Sequence, residues 1–249
     1  MHFYAIGDIH GQLGLLQDIH ARIARDQAEY GPGLVVHLGD YVDRGPDSRG
    51  VIDFLMEGMA AGRNWLVLKG NHDRMFTGFL DDPKWQDPGL RSDLSWLHWK
   101  LGGAATLASY GVKNAADRPV AKVHAEAVEA VPAAHRAFLA GLPDRHRIGE
   151  AICVHAGIRP GLPLESQAET DLLWIRQGFL DLRTDYGALI VHGHTAIDAP
   201  THYGNRLNLD SGAAYGGPLT SAVVLGRDAF VLTREGRRKL PVTPEAPDR

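Results

Sequence analysis

The chain has 249 residues, of which 44% are hydrophobic, and its formal net charge at pH 7 is −4. This length and composition allow one domain with a sizeable core, and we predict a single domain over residues 1–249. The acidic balance provides no basic surface of the kind that long nucleic-acid contacts need. A nucleic-acid duplex is therefore not expected as a partner.

The single cysteine, Cys153, lies in an apolar segment at 151–154. It excludes an intramolecular disulfide and a thiolate cluster, and we expect it to be a buried small hydrophobic residue. No apolar stretch approaches the roughly 18 residues of a membrane span, and the first predicted strand begins at residue 2, which leaves no room for a signal peptide. We therefore expect a cytoplasmic protein without a membrane partner.

Three strand–loop–helix units open the chain. Apolar runs at 2–6, 34–38 and 65–68 predict buried strands, and a glycine-containing loop follows each run. Hydrophobic residues at helical spacing, from residue 13 to 23 and from 51 to 55, predict the first two helices. Because ligands of α/β sheets bind at the carboxyl ends of the strands, the loops after these strands are the expected site.

The second half of the chain adds predicted strands at 151–154, 188–191, 206–209 and 222–225. No helical pattern separates these strands, so we expect helical crossovers early in the fold and a more antiparallel sheet late. The predicted fold class is α/β, a layered sandwich of mixed β-sheets flanked by helices.

Two segments depart from this pattern. Residues 81–150 contain proline-rich turns and three tryptophans, and we predict a mostly helical insertion near the site. Packing within the insertion is the favoured explanation for Trp85, Trp96 and Trp99, and substrate contact is the alternative. Residues 234–249, with three prolines and clustered Arg and Lys, predict a flexible, solvated tail.

Four short motifs contain side chains that could bind metals. They read GDIHG at 7–11, GDYVDRG at 39–45, GNHD at 70–73 and GHT at 193–195, and each follows an apolar run. Oxygen donors mixed with imidazoles suit Mn, Fe or Zn better than Ca or Mg. Two ions roughly 3.5 to 4 Å apart can activate one water and polarise a phosphoryl group. The motifs therefore indicate a two-metal phosphoester hydrolase.

These strings resemble the phosphoprotein phosphatase branch of the metallophosphoesterases, whose signatures are GDxHG, GDxVDRG and GNH followed by an acidic residue. The similarity continues through 154–157, 172–176 and 191–195, and so covers most of residues 1–225. The motif sequences most resemble those of bacterial serine/threonine phosphatase-like members and of the symmetrical dinucleoside tetraphosphatase. The resemblance implies a metallophosphoesterase-type sandwich.

The resemblance also implies two divalent metal ions, with manganese expected and iron or zinc as alternatives. One residue, Asp40, would bridge them. The first ion would be held by Asp8, His10 and Asp40, and the second by Asp40, Asn71, His155 and His194.

By the same resemblance, His72 would protonate the leaving oxygen, and Asp43 would hold its imidazole in orientation. Arg44 and Arg176 would clamp the phosphate, with Asn71 also on the substrate-binding side, because planar guanidinium groups match phosphate oxygens bidentately. The expected mechanism is direct attack of a metal-bridging hydroxide on phosphorus, without a phosphoenzyme.

The substrate is open between two classes. The favoured function is a serine/threonine protein phosphatase acting on phosphomonoesters, and the alternative is a symmetrical bis(5'-nucleosyl)-tetraphosphatase. Asp73, where protein phosphatases of this group usually have Glu, also appears in the tetraphosphatases, whereas the complete VDRG string with Arg44 favours a terminal phosphate. A non-catalytic phospho-binding relative and a nuclease are the remaining alternatives. The roles of His192 and Asp210, and the oligomeric state, are left open.

Overall fold

The computed structural model describes residues 2–244, which form two β-sheets with helices on their outer faces. The strands are β1 (His2–Ile6), β2 (Leu34–His37), β3 (Trp65–Val67), β4 (Arg145–Ile148), β5 (Ala151–Val154), β6 (Leu189–His192), β7 (Thr201–His202), β8 (Arg206–Asn208), β9 (Ser221–Leu225), β10 (Asp228–Thr233) and β11 (Gly236–Leu240). The helices are α1 (Leu13–Tyr30), α2 (Ser48–Ala60), α3 (Asn71–Asp81), α4 (Gly103–Ser109), α5 (Val120–Ala130), α6 (Ala133–Ala140) and α7 (Glu169–Trp174). The predicted α/β sandwich of mixed sheets is confirmed.

The first sheet has the strand order β11-β10-β9-β1-β2-β3. Strands β1, β2 and β3 are parallel, and helices α1 and α2 connect them as the sequence predicts. Strand β9 pairs antiparallel with β1, and β10 and β11 continue the sheet as antiparallel neighbours. The early strand–helix units therefore form one half of this sheet.

The second sheet has the strand order β4-β5-β6-β8-β7. The relative directions of its strands differ from the predicted antiparallel arrangement. Strands β5, β6 and β8 are parallel, and only the edge strands β4 and β7 are antiparallel to their neighbours. The prediction of a more antiparallel late sheet was wrong for this part. Residues 155–188, with α7, cross the outer face before β6 begins and so return the chain parallel to β5.

The apolar core has three layers, set by the alternation of side chains along the strands. In β1, Phe3 and Ala5 point between the two sheets, whereas Tyr4 and Ile6 point towards helices α1 to α6. Cys153 lies in the layer between the sheets and is buried, as predicted. The outer face of the second sheet packs against α7 and the segment after it.

The insertion is less helical than predicted. Residues 82–102 run through turns without a helix, helices α4 to α6 follow, and strand β4 closes the segment. Pro and Gly turn residues interrupt this segment, so its sequence has no continuous apolar face that a helix could bury.

The flexible tail predicted from residue 234 is also corrected, because β11 (Gly236–Leu240) pairs antiparallel with β10 along its whole length. Buried Asp26 on α1 accepts hydrogen bonds from Arg237 and from the Tyr4 hydroxyl, and these bonds attach β11 to the helical layer. The remainder of the predicted tail, residues 245–249, lies outside the described residues. Within residues 2–244, no helix combines the length and the apolar character that crossing a membrane requires.

Candidate metal centre and active site

The site loops follow the carboxyl ends of strands from both sheets. Strands β1, β2 and β3 lead into the loops at 7–11, 39–45 and 70–73, and β5 and β6 lead into His155 and the loop at 193–195. Side chains that are far apart in the chain therefore meet at one edge of the sandwich, as expected for an α/β sheet.

These loops hold strained backbone conformations. Six non-glycine residues in the described range have positive φ, and five of them are predicted site residues. Positive φ is uncommon for non-glycine residues, and such strain persists where the surrounding structure enforces it. The five are His10 (44°), Asp40 (56°), Asp43 (73°), Arg44 (68°) and His194 (65°).

Asp73 ties two of the loops together. Its buried carboxylate accepts hydrogen bonds from the backbone N–H groups of Gly70 (2.8 Å), Asp40 (2.9 Å) and Tyr41 (2.9 Å). Charged acceptors near the start of a helix are favourable, and Asp73 lies in the first turn of α3. The Asp73 carboxylate thus connects the loop at 39–45 to the loop at 70–73.

One group of metal-binding side chains lies around Asp40, His155 and His194, whose ligand atoms are all within 4.8 Å of one another. Asn71 belongs to the same place, because its Oδ1 is 2.9 Å from both His155 Nε2 and His194 Nδ1. All four residues are buried. The structure brings together the four residues predicted for the second metal.

A second group contains His10, Asp40 and His72 within the same 4.8 Å limit. Asp40 faces both groups: its Oδ2 is 3.4 Å from His10 Nε2, and its Oδ1 is 3.4 Å from His155 Nε2. Asp8 belongs to neither group, and its carboxylate accepts from the backbone N–H of His194, so its predicted ligand role stays a prediction.

The orientation of the imidazoles fits metal binding. His10 Nδ1 donates to the Val42 carbonyl at 2.7 Å, and His155 Nδ1 donates to the Leu38 carbonyl at 2.9 Å. Backbone acceptors on one ring nitrogen direct the other towards a metal. His194 Nε2 is buried without a hydrogen-bond partner among residues 2–244. The other nitrogen, His194 Nδ1, lies 2.9 Å from Asn71 Oδ1. Imidazole nitrogens grouped with the Asp40 carboxylate and the Asn71 amide oxygen are a donor set suited to Mn, Fe or Zn.

His72 and Asp43 form a buried pair, with His72 Nδ1 2.6 Å from Asp43 Oδ2. Two residues that the sequence analysis did not place in the site also contact this carboxylate. The Trp96 indole N–H donates to Asp43 Oδ2 at 2.8 Å, and the Thr106 hydroxyl donates to Asp43 Oδ1 at 2.7 Å. For Trp96 the sequence analysis favoured packing, with substrate contact as the alternative, and it contained no indication for Thr106.

Burial has the largest effect on the pKa values of Asp43 and His72. It raises the pKa of Asp43 to about 7, although the hydrogen bonds from Thr106 and Trp96 oppose this rise. Burial, reinforced by the Arg44 cation and opposed by Asp40, lowers the pKa of His72 to about 3.

At Asp40 the neighbouring imidazoles outweigh the effect of burial on the pKa. The imidazoles of His155 and His72 hold the pKa of Asp40 well below its usual range despite its burial. The Asp40 charge in turn raises the pKa of His155 to about 9, against the effect of burial. Burial and the neighbouring Asp210 raise the pKa of Asp8 well above its usual range. Cations bound here would relieve this repulsion between carboxylates.

A cavity of about 390 Å³ opens over these residues and is lined by Arg44 and Arg176, the two predicted phosphate clamps. The Arg44 guanidinium donates to His10 Nε2 at 2.6 Å and to His72 Nε2 at 3.0 Å. It also lies over the ring of Tyr215, which is 69% exposed at the cavity rim. The cavity is therefore cationic where a phosphate would enter.

The two residues left open by the sequence occupy different places. His192 is buried against Phe179, 5.1 Å between ring centroids, and belongs to neither metal-binding group. Asp210 lines the cavity, and its Oδ1 accepts from the Gly212 N–H at 3.0 Å.

Known proteins with related sequences include a protein phosphatase and tetraphosphatases. The chain is 26% identical over 227 residues to serine/threonine-protein phosphatase 1 of Salmonella typhimurium, with 89% of this chain and 91% of the relative covered. It is also 26% identical over 244 residues to the asymmetrical bis(5'-nucleosyl)-tetraphosphatase PrpE of Bacillus thuringiensis, with 89% of each covered. The resemblance had suggested the symmetrical enzyme, whereas this relative is named as the asymmetrical one.

A similar fold occurs in a solved structure named as a proposed diadenosine tetraphosphatase, with a TM-score of 0.63, 22% identity and 92% of each chain covered. The family model of the calcineurin-like phosphoesterases matches residues 1–222, which include all four motifs. Members of this family use divalent metals, and the buried His and Asp groups could bind them. The chain therefore belongs to the calcineurin-like phosphoesterase family and is a metal-dependent phosphoester hydrolase.

Proposed function

We propose that this protein is a serine/threonine protein phosphatase that hydrolyses phosphomonoesters with two divalent metal ions. The observation that carries the proposal is the buried His72–Asp43 pair, which lies beside the metal-binding groups and under the Arg44 guanidinium. A proton donor, a phosphate-binding cation and metal ligands thus share one cavity.

The proposed metal ligands are those named from the sequence. Asp8, His10 and Asp40 would hold one ion, and the second would be held by Asp40, Asn71, His155 and His194. The paired Asp40 distances of 3.4 Å to His10 and His155 support a bridging role. We propose manganese from the mixture of oxygen and imidazole donors. When bound, the ions supply an activated water and polarise the phosphoryl oxygens.

The protein's own residues orient and protonate the substrate. Arg44 and Arg176 bind the phosphate oxygens, and this contact draws Arg44 away from His72 Nε2. A phosphate dianion beside His72 favours the protonated imidazole and so opposes the effect of burial. His72 then donates its proton to the departing alkoxide while Asp43 holds Nδ1, and no phosphoenzyme forms.

A second candidate activity is hydrolysis of dinucleoside tetraphosphates. It is supported by Tyr215, whose exposed ring lies next to Arg44 at the rim of the cavity and could stack on a nucleobase. Arg91 also lines the cavity, where it could contact a longer phosphate chain.

The cytoplasmic location of this protein stays a prediction.

Substrate choice is tested with metal-free protein reconstituted with manganese. A phosphoserine peptide and a dinucleoside tetraphosphate are supplied in parallel, and phosphate release and nucleotide products are measured. We expect faster hydrolysis of the peptide. Preferred cleavage of the nucleotide would replace our proposal with the second candidate, and activity on neither would favour a phospho-binding protein without catalysis.

The acid role of His72 is tested with His72→Asn. We expect kcat on the phosphoserine peptide to fall about 100-fold or more, because an alkoxide leaves poorly without a proton. The loss on p-nitrophenyl phosphate should be much smaller, and the manganese content should be unchanged. The control is His135→Asn, which removes another buried histidine paired with an aspartate, Asp53, at 3.0 Å and away from the cavity.

Equal losses on both substrates would remove His72 from the acid role. Capture of a phosphorylated side chain during turnover would contradict direct hydrolysis.

A further inference from the structure

The carboxylate of Asp43 is fully buried, and each of its oxygens has a defined partner. Oδ1 accepts from the Thr106 hydroxyl at 2.7 Å, and Oδ2 is shared by the Trp96 indole N–H at 2.8 Å and His72 Nδ1 at 2.6 Å. Three donors from three chain segments prevent the carboxylate from rotating. The direction of the His72 ring therefore depends on Trp96 and Thr106.

Both donors are fixed by packing. The ring of Trp96 is buried and lies 5.4 Å from Phe76 and 4.8 Å from Phe79, both on α3, the helix that carries His72. Thr106, on α4, also lies 2.7 Å from the backbone N–H of Asp43. The insertion thus holds the same carboxylate from two sides.

The chemistry of the donors suits this task. An indole N–H and a hydroxyl are neutral, so they stabilise the carboxylate without supplying a competing positive charge. His72 remains the only cation-forming partner of Asp43 through a side-chain hydrogen bond among the described residues. A carboxylate held in this way fixes the tautomer and the direction of its histidine.

We propose that Trp96 and Thr106 are positioning residues for catalysis, which act through Asp43 to aim His72 at the leaving oxygen. This inference rests on the proposed acid role of His72. It assigns to the insertion a part in the reaction, in addition to its packing.

The test uses two substitutions in different chain segments: Thr106→Val, which keeps the side-chain volume, and Trp96→Phe, which keeps an aromatic ring but removes the N–H donor. We expect each to lower kcat on the phosphoserine peptide by about 10- to 100-fold, the usual cost of losing a residue that orients a site histidine. The loss on p-nitrophenyl phosphate should stay within about twofold, and KM should not change, because only the proton-dependent step is impaired. If Trp96 and Thr106 had a purely structural role, kcat would fall equally on both substrates.

Two control variants and one combination complete the experiment. Thr106→Ser restores a hydroxyl and should recover most of the peptide activity, and Trp99→Phe changes a tryptophan that is 78% exposed and should have no effect. In a His72→Asn background, Thr106→Val should cause no further loss, because both changes remove the same function.

A further peptide-specific loss in that background, or equal losses on both substrates, would overturn the inference. If His72→Asn is selective for the peptide while Thr106→Val and Trp96→Phe are not, the inference fails and the acid role survives. If His72→Asn is not selective, the acid role fails and this inference fails with it. Thermal unfolding of each variant identifies loss of fold separately.

Discussion

Four histidines at or beside the site have different surroundings, which their hydrogen-bond and packing partners define. In His10 and His155 a backbone carbonyl accepts from Nδ1, which leaves Nε2 for a metal. In His72 a carboxylate occupies Nδ1, which suits proton transfer. His192 Nδ1 is 3.1 Å from the carbonyl oxygen of the adjacent Gly193, and its ring packs on Phe179. Residue type alone could not distinguish these roles.

Gly193 offers a test of the metal site at the level of one residue. A Cβ at this position would overlap Asp8 Oδ1, a proposed metal ligand. We expect Gly193→Ala to lower the manganese content measured by metal analysis after dialysis, and to lower kcat at limiting manganese. The matched control is Gly14→Ala, because nothing lies within 4 Å of that position in α1. Unchanged metal content in Gly193→Ala would contradict a ligand role for Asp8.

At the level of elements, strand β11 shows why local composition misled the prediction. Its residues are largely basic and partly exposed, as a tail would be. Pairing with β10 satisfies its backbone, and Arg237 forms an ion pair with Asp26 on α1, with Nη2 2.6 Å from Oδ1. Both contacts join segments far apart in the chain, so the local sequence carries little sign of them.

Arg237→Gln should destabilise the protein by about 2 kcal/mol at pH 7, because it removes charged hydrogen bonds to a buried carboxylate. Burial of Asp26 raises its pKa, but the bonds from Arg237 and Tyr4 outweigh this effect, and the pKa lies below its ordinary value of 3.8. The contribution is therefore complete above pH 3.8 and is lost as the pH falls through the folded-state pKa.

Denaturant unfolding at several pH values checks this expectation, with the exposed neighbour Arg238→Gln as the control. The difference between wild type and Arg237→Gln should narrow below pH 3.8. A constant difference down to acidic pH would contradict the ion-pair explanation.

At the level of the whole molecule, the proposed metal ligands belong to both sheets. Asp40 and Asn71 follow strands of the first sheet, whereas His155 and His194 follow strands of the second. Metals bound between them would link the two halves of the sandwich. Folding and metal affinity should therefore be coupled.

Manganese should raise the unfolding temperature of metal-free protein, and a chelator should reverse the change. A concentration 100 times the dissociation constant would add about 2.7 kcal/mol of stability. Asp40→Asn should abolish most of this shift, whereas Asp228→Asn, at an exposed carboxylate, should retain it. An equal manganese-induced shift of the unfolding temperature in both variants would show that the stabilising ions bind elsewhere.

The sequence by itself determined the order of the early strands and helices, the position of the motif loops and several side chains that meet at one edge of the sandwich. This was possible because each proposed metal ligand lies within a few residues of the end of an apolar strand, and strand ends converge in an α/β sheet. The prediction included Asp40, His155 and His194, which lie together in the structure.

Only the tertiary structure decided the parallel direction of the second sheet, the strand at the C-terminal end, and the contacts of Trp96 and Thr106 with Asp43. Each depends on pairing or packing between segments that are distant in the chain. Such contacts leave no periodicity or motif in the local sequence, because their stabilisation comes from the partner that folding brings to them.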